Sequence, residues 1–303
     1  MNGYIVNMLL ELCAILSFQP HDFDTDSFAL KPPLPPCILR RYDWGANIVL
    51  PPDVGPRALD HTVACGGQVG EFCTNDLDYR YNPQSVKFVE NFMPNAVPMR
   101  SDMHTLLYGA LVALANFPDG IAIDLGAGSF RSSNLIGSVF ARNLVFACDT
   151  FTGLPSEWVR GGSKLPTGTF GPRRRTEMSQ PPFPLLDNVV AVKGTFSETI
   201  PQILPLMSEH PLALVHVDSG SYRSAVDGLK PLLPLLRVGT VLVFGEFYNY
   251  SGFEDGEFLA FKELIIDGGF ECSPLAFNAH HQQVVIQITG VPDDQRLMQS
   301  DGD

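Results

Sequence analysis

The sequence predicts an α/β fold: a doubly wound, mostly parallel sheet that closes in an antiparallel hairpin, with an accessory arm at its N-terminus. Three observations carry this. Apolar strand-like runs alternate with helical stretches from about residue 101 onward, and such alternation builds a parallel sheet with helices on both faces. The first strand runs into a glycine turn at Gly126 and Gly128, and an acid, Asp149, closes the second strand. Two strand-like runs lie next to each other near the C-terminus, which reads as a hairpin.

Along residues 1–100 no strong period appears. Proline-rich pieces such as Lys31–Cys37 and Leu50–Asp53 exclude helix interiors and central strands. This region is expected to be an accessory arm of short helices and loops, with the main domain at 101–303. The apolar start, Met1–Leu16, carries Glu11 and lacks a basic leader. It is short for a membrane span of about 20 residues, so it reads as an amphipathic helix docked on the body. A helix should begin at Ser101 or Asp102, where either can act as N-cap, because Met103, Leu106, Leu107, Ala110, Leu111 and Leu114 recur at helical spacing. Strands are expected at 121–125, 144–148, 189–193, 212–217 and 240–244, and helices at 130–141, 198–208, 222–236 and 255–268. Glu271–Phe277 and Gln283–Ile288 form the hairpin around Asn278–His281. Residues 154–187 form a long Pro- and Gly-rich loop, a kind that is usually functional or disordered.

The 303 residues are 45% hydrophobic and 17% charged, ordinary for a globular protein. A net charge of −13 argues against a nucleic-acid partner, since phosphate binding needs a basic surface. The one basic run, Arg173–Arg175, either grips an anionic acceptor or is a solvated loop. Six cysteines are scattered without a C-x-x-C pair, which argues against structural zinc and for free thiols in a reducing, cytoplasmic setting. Cys65 and Cys73 are the only close pair. No membrane association is expected, and a homo-oligomer is left open.

The glycine turn is the part of the sequence that speaks of chemistry. Glycines let backbone approach a ligand, and the following helix points its N-terminus at it. An acid about 20 residues on can accept hydrogen bonds from ribose hydroxyls. A dinucleotide site would show G-x-G-x-x-G, but the third position here is Arg131. Asp124, just before the first glycine, would repel a pyrophosphate and suits a cofactor with an ammonium group and no phosphate, as in S-adenosyl-L-methionine. Such turns also occur as plain strand–helix connections.

Three further segments carry a resemblance: Phe146-Ala-Cys-Asp-Thr-Phe-Thr-Gly-Leu-Pro-Ser-Glu-Trp158, Leu214-Val-His-Val-Asp-Ser-Gly-Ser-Tyr-Arg-Ser224 and Val243-Phe-Gly-Glu-Phe-Tyr-Asn-Tyr-Ser-Gly-Phe-Glu254. In order and spacing, residues 119–290 resemble the macrocin O-methyltransferase family, which methylates sugar hydroxyls of natural products with S-adenosyl-L-methionine. The resemblance implies the Rossmann-like class I methyltransferase fold and a small-molecule hydroxyl acceptor. It implies cofactor-binding roles for Asp124, Gly126, Gly128, Asp149, Thr150, Phe151, Phe196 and Asp218. Phe151 could equally be core, and Phe196 could stack on adenine or brace its own helix. The family's metal-binding acids are half kept. His216-Val-Asp218 is present, but the second acid of that motif is Gly220. In Phe244-Gly-Glu246, the first acid of the pair is Gly245. Asp218 and Glu246 are thus the expected ligands of a weakened magnesium site, and restoring acids at Gly220 and Gly245 should strengthen it. Asp218 and His216 are the catalytic candidates; His216 reads either as general base or as a satisfied core histidine. Tyr248, Asn249 and Tyr250 should shape the acceptor side. A degenerate fold that binds cofactor or a protein partner without catalysis is the alternative, and a nicotinamide oxidoreductase is disfavoured by Asp124 and the missing third glycine.

Overall fold

The computed structural model describes residues 83–160, 163–171, 185–207, 210–293 and 295. The expected N-terminal helix, Cys13, Cys37, Cys65, Cys73 and Arg173–Arg175 lie outside the described residues. In chain order the elements are helix α1 (Pro83–Phe92), β1 (Val97–Met99), α2 (Asp102–Asn116), β2 (Ile121–Leu125), α3 (Arg131–Val139), β3 (Val145–Asp149), β4 (Trp158–Arg160), β5 (Ser163–Leu165), β6 (Val189–Lys193), α4 (Phe196–Ile203), β7 (Leu212–Val217), α5 (Tyr222–Leu229), β8 (Val241–Phe244), α6 (Glu257–Phe261), β9 (Glu271–Asn278) and β10 (Val284–Gly290).

Eight strands make the main sheet in the order β1-β9-β10-β8-β7-β2-β3-β6. β10 runs antiparallel to both β8 and β9, and every other neighbouring pair is parallel. The expected hairpin is therefore present, and it folds back so that the last strand sits between β8 and β9. The central strands β2, β7 and β8 are buried along their whole length, as a sheet covered on both faces requires. Alternate residues face opposite layers. Ile123, Leu125, Leu242 and Phe244 join Ile200 of α4, Leu229 of α5 and Phe261 of α6 in one core. On the other face α2 packs so closely that a Cβ on Gly109 would lie 2.5 Å from Val243.

Local signals start the helices where expected. Ser101 Oγ accepts the His104 amide at 3.2 Å and caps α2. The Glu198 carboxylate accepts the Thr195 amide at 2.9 Å at the start of α4. Among the described residues no helix is long and apolar enough to cross a membrane. Cys148 and Cys272 are free thiols.

Two regions differ from the sequence expectation. Residues 83–99, assigned from sequence to the accessory arm, are part of this body. Phe88 and Phe92 of α1 pack mostly edge-on against Phe247 and Phe258, and β1 pairs with β9. A three-residue strand with a central proline is too short to show a period, and it is tolerated because β1 is an edge. The long loop also carries structure: β4 and β5 pair antiparallel. A Gly-Gly pair between short strand-like runs is a hairpin signal that the sequence did contain.

Candidate functional site

The strand order reverses between β2 and β7, and the C-terminal ends of β2, β3, β7 and β8 meet there. Ligands of open α/β sheets bind at such a switch point. β2 and β3 contribute a stitched turn. The Gly126 amide bonds to Cys148 O at 2.9 Å, and the Phe130 amide to Ala127 O at 2.7 Å. Gly126 has φ +103°, and a Cβ there would fall 2.0 Å from the carbonyl oxygen of Asp218. Only glycine allows β2 and β7 to end so close together. Gly128, also at positive φ, has no atom nearer than 3.9 Å in the Cβ direction, so its backbone is open to approach.

Asp149 clasps this turn. Its Oδ2 accepts the Gly128 amide at 2.9 Å and its Oδ1 accepts the Phe151 amide at 2.6 Å. The residue is partly exposed, and a carboxylate has about four lone-pair directions, so acceptor capacity remains for ribose hydroxyls. The residues therefore fit an adenosyl cofactor. Thr150 turns inward to the chain, donating to Gly153 O at 2.8 Å. Phe151 packs tilted against Phe130 with ring centroids 4.9 Å apart. Both phenylalanines have positive φ, 53° and 65°. Bulky residues rarely adopt that conformation, and it collects at functional sites. Phe130 was not singled out from the sequence. Phe196 is partly buried and packs against the core beside Gly228 of α5.

Two expected roles are corrected. Asp124 does not line the ligand side of the turn. It is fully buried, with Oδ1 2.7 Å from His216 Nδ1 and Oδ2 accepting from Ser132 and Ser133 at the start of α3. Register explains this, because Asp124 pairs directly with His216 on β7. Asp124 thus anchors the turn from behind. His216 is 4% exposed. Burial works against its charge, but Asp124 outweighs burial and holds its pKa above the ordinary value. Burial likewise opposes the Asp124 carboxylate, yet His216 and the two hydroxyls hold it below the ordinary range. His216 is thus buried against Asp124 rather than open to an acceptor hydroxyl.

β7 and β8 end in an acidic cluster. Asp218 is solvent-exposed yet surrounded by protein, as at the floor of a recess. Burial in that recess raises its pKa, opposed by His216 and reinforced by Asp124. Glu246 is pushed to about 8 by burial, against the attraction of Arg160. Glu257, missed in the sequence, is completely buried. Its Oε1 accepts the amides of Ser219 at 2.8 Å and Gly220 at 3.0 Å, and its Oε2 accepts that of Glu246 at 2.9 Å. One carboxylate thus ties the β7 loop to the β8 loop, while burial lifts its pKa to about 7. Tyr248 donates to Asn278 O at 2.6 Å, and Tyr250 to Glu246 O at 3.2 Å. Asn249 takes a left-handed φ of 64° between them.

The residues do not fit a magnesium site. Magnesium wants about six oxygens in octahedral array, and among the described residues no group of three His, Cys, Asp or Glu side chains is arranged to hold a metal. The two glycines are built in. Gly220 has φ +72°, and its Cβ direction meets the Trp158 ring at 3.1 Å. A Cβ on Gly245 would lie 2.5 Å from Asp218 Oδ1. An acid at Gly245 would crowd Asp218, and one at Gly220 would press on Trp158 at positive φ. Glu246, the other expected ligand, instead has Oε2 2.8 Å from Arg160 Nη2.

No protein-family model matches the sequence, and no curated protein sequence matches it. Solved structures do. Calicheamicin methyltransferase CalS11 is 18% identical, with 69% of this chain aligned to 88% of that one at a TM-score of 0.50. The O-methyltransferase NovP is 17% identical, with 62% of this chain aligned to 79% of that one at a TM-score of 0.44. The similarity to CalS11 establishes the fold: this chain has the Rossmann-like class I methyltransferase architecture.

Proposed function

We propose that this chain is an S-adenosyl-L-methionine-dependent O-methyltransferase acting on a hydroxyl of a sugar or other small polyol-type natural product. The observation that carries the reading is the clasp between the open backbone at Gly128 and the partly exposed Asp149 carboxylate, set beside Asp218 at the switch point of the sheet. The macrocin-like strings lie on these same strand ends. The first supplies Asp149, the second Asp218, and the third Glu246 and Tyr250. When bound, S-adenosyl-L-methionine supplies a methyl group on a positively charged sulfur. Asp149 would hold the ribose hydroxyls through charge-assisted bonds. The floor of the recess would orient the acceptor, and proximity would supply much of the rate.

An acceptor hydroxyl must lose its proton as its oxygen takes the methyl group. Asp218 is the carboxyl that faces the recess. Its raised pKa brings it nearer the working pH, as a general base needs. His216 and Asp124 act behind it and fix the strand ends.

Calorimetric titration of the full chain with S-adenosyl-L-methionine tests the reading. Binding is expected, and Asp149→Ala should weaken it roughly 100-fold, since bonds to charged groups contribute about 1.5–3 kcal/mol each. No binding by the wild-type chain would sink it.

A further inference from the structure

We propose that Arg160 is a built-in cation at the acceptor side of the site, standing where the acids of a divalent-metal site have been replaced by Gly220 and Gly245. This rests on the methyltransferase reading for what the recess receives, and on the macrocin-like strings for the metal pattern from which Gly220 and Gly245 depart.

The β4–β5 hairpin brings Arg160 to the ends of β7 and β8. Its Nη2 lies 2.8 Å from Glu246 Oε2 and donates to Gln282 Oε1 at 2.8 Å. Its guanidinium carbon sits 5.3 Å from the Trp158 ring centroid and 5.0 Å from that of Tyr250, so two aromatic rings and two oxygens fix the charge in place. The side chain is 30% exposed. Both polar contacts described for the guanidinium leave from Nη2, and its other N–H donors are not used by them. A planar fork of this kind offers donors to acceptor oxygens where a metal ion would offer open coordination positions. The same hairpin fills the gap at Gly220 with Trp158. One hairpin thus supplies both the positive charge and the bulk at this place. Glu246 already lies against this guanidinium, which favours a neutral, hydroxyl-bearing acceptor over an anionic one.

The test uses Mn²⁺ as the probe, titrated into the full chain and followed by the electron paramagnetic resonance of the free ion. Wild type is compared with Arg160→Met, which keeps bulk and removes charge, and Arg160→Lys, which keeps charge. A divalent cation entering beside Glu246 must overcome the repulsion of this guanidinium, so Arg160→Met is expected to bind Mn²⁺ about tenfold more tightly than the other two. Should Arg160→Met not fold, Arg160→Gln takes its place with the same expectation. Binding by the neutral variant no tighter than by wild type, or no tighter than by Arg160→Lys, overturns the proposal. The assay contains no S-adenosyl-L-methionine, so failure of the cofactor to bind would count against the functional reading alone.

Discussion

The two halves of the site are built in different ways. The cofactor half is local and made largely of backbone. Gly126, Gly128 and Asp149 lie at the ends of two consecutive strands, and the bonds that shape them run between neighbouring strand ends. The acceptor half is assembled from four distant pieces: the β4–β5 hairpin, the loops after β7 and β8, and Gln282 before β10. Its side chains carry the charge, and they depart from the metal-binding pattern that the same strings imply. A cofactor that does not change holds its half of the site to one geometry. An acceptor pocket can be rebuilt as long as the strand ends stay where Glu257 and the Asp124–His216 pair hold them.

The sharpest way to break this comparison is at Gly126, where the halves touch. Gly126→Ala places a methyl group on the Asp218 carbonyl in a backbone conformation that alanine resists. Backbone strain and overlap together should cost about 3 kcal/mol or more. The melting temperature should drop, and cofactor binding should go with it. Wild-type-like melting would mean that the two strand ends are not locked together.

A smaller effect is expected from Gly245→Asp, because its clash is with the Asp218 side chain and not with backbone. Overpacking of this kind costs roughly 1–3 kcal/mol. The variant should lose stability in a denaturant melt and should not gain Mn²⁺ affinity. A gain would show that the acids of the metal site can be restored after all.

The smallest effect is a pH slope. Glu246, lifted from 4.5 to about 8, and Glu257, lifted from 4.5 to about 7, keep protons in the fold that the unfolded chain has lost. His216, raised from 6.5, acts in the same sense above that pH. Stability should therefore fall as pH rises from about 5 to about 8. Asp124 works the other way: its contribution is present above 3.8 and lost as pH falls below that value. Glu246→Gln should flatten the slope by roughly a few degrees in Tm between those two pH values. An unchanged slope would remove Glu246 as its source.

Much of the sheet was legible because its strands are fully buried apolar runs broken by turn residues. β2, β6 and β7 fall at the expected residues, and β3, β8, β9 and β10 lie within a residue or two; β1, β4 and β5 were not expected. The helices from α4 onward were legible as positions but not as types. Pro201 sits inside α4, and α5 and α6 hand over to 3-10 and π turns, which a periodicity of apolar residues does not distinguish. Glu257 and Arg160 were not legible at all. A lone glutamate at a helix start and an arginine in a loop look like solvated charge until the fold buries them.

The sequence by itself determined the layered α/β architecture, the glycine turn and the acid that clasps it, because these depend on backbone freedom and on burial patterns that repeat over a few residues. Tertiary structure decided which acid faces the recess and which lies behind it. Asp124 and Asp218 both border the turn, and only strand register turns the first toward His216 and leaves the second exposed. Tertiary structure also decided the charge of the acceptor half, because a guanidinium from residue 160 meets a carboxylate from residue 246 only when the hairpin folds across the strand ends.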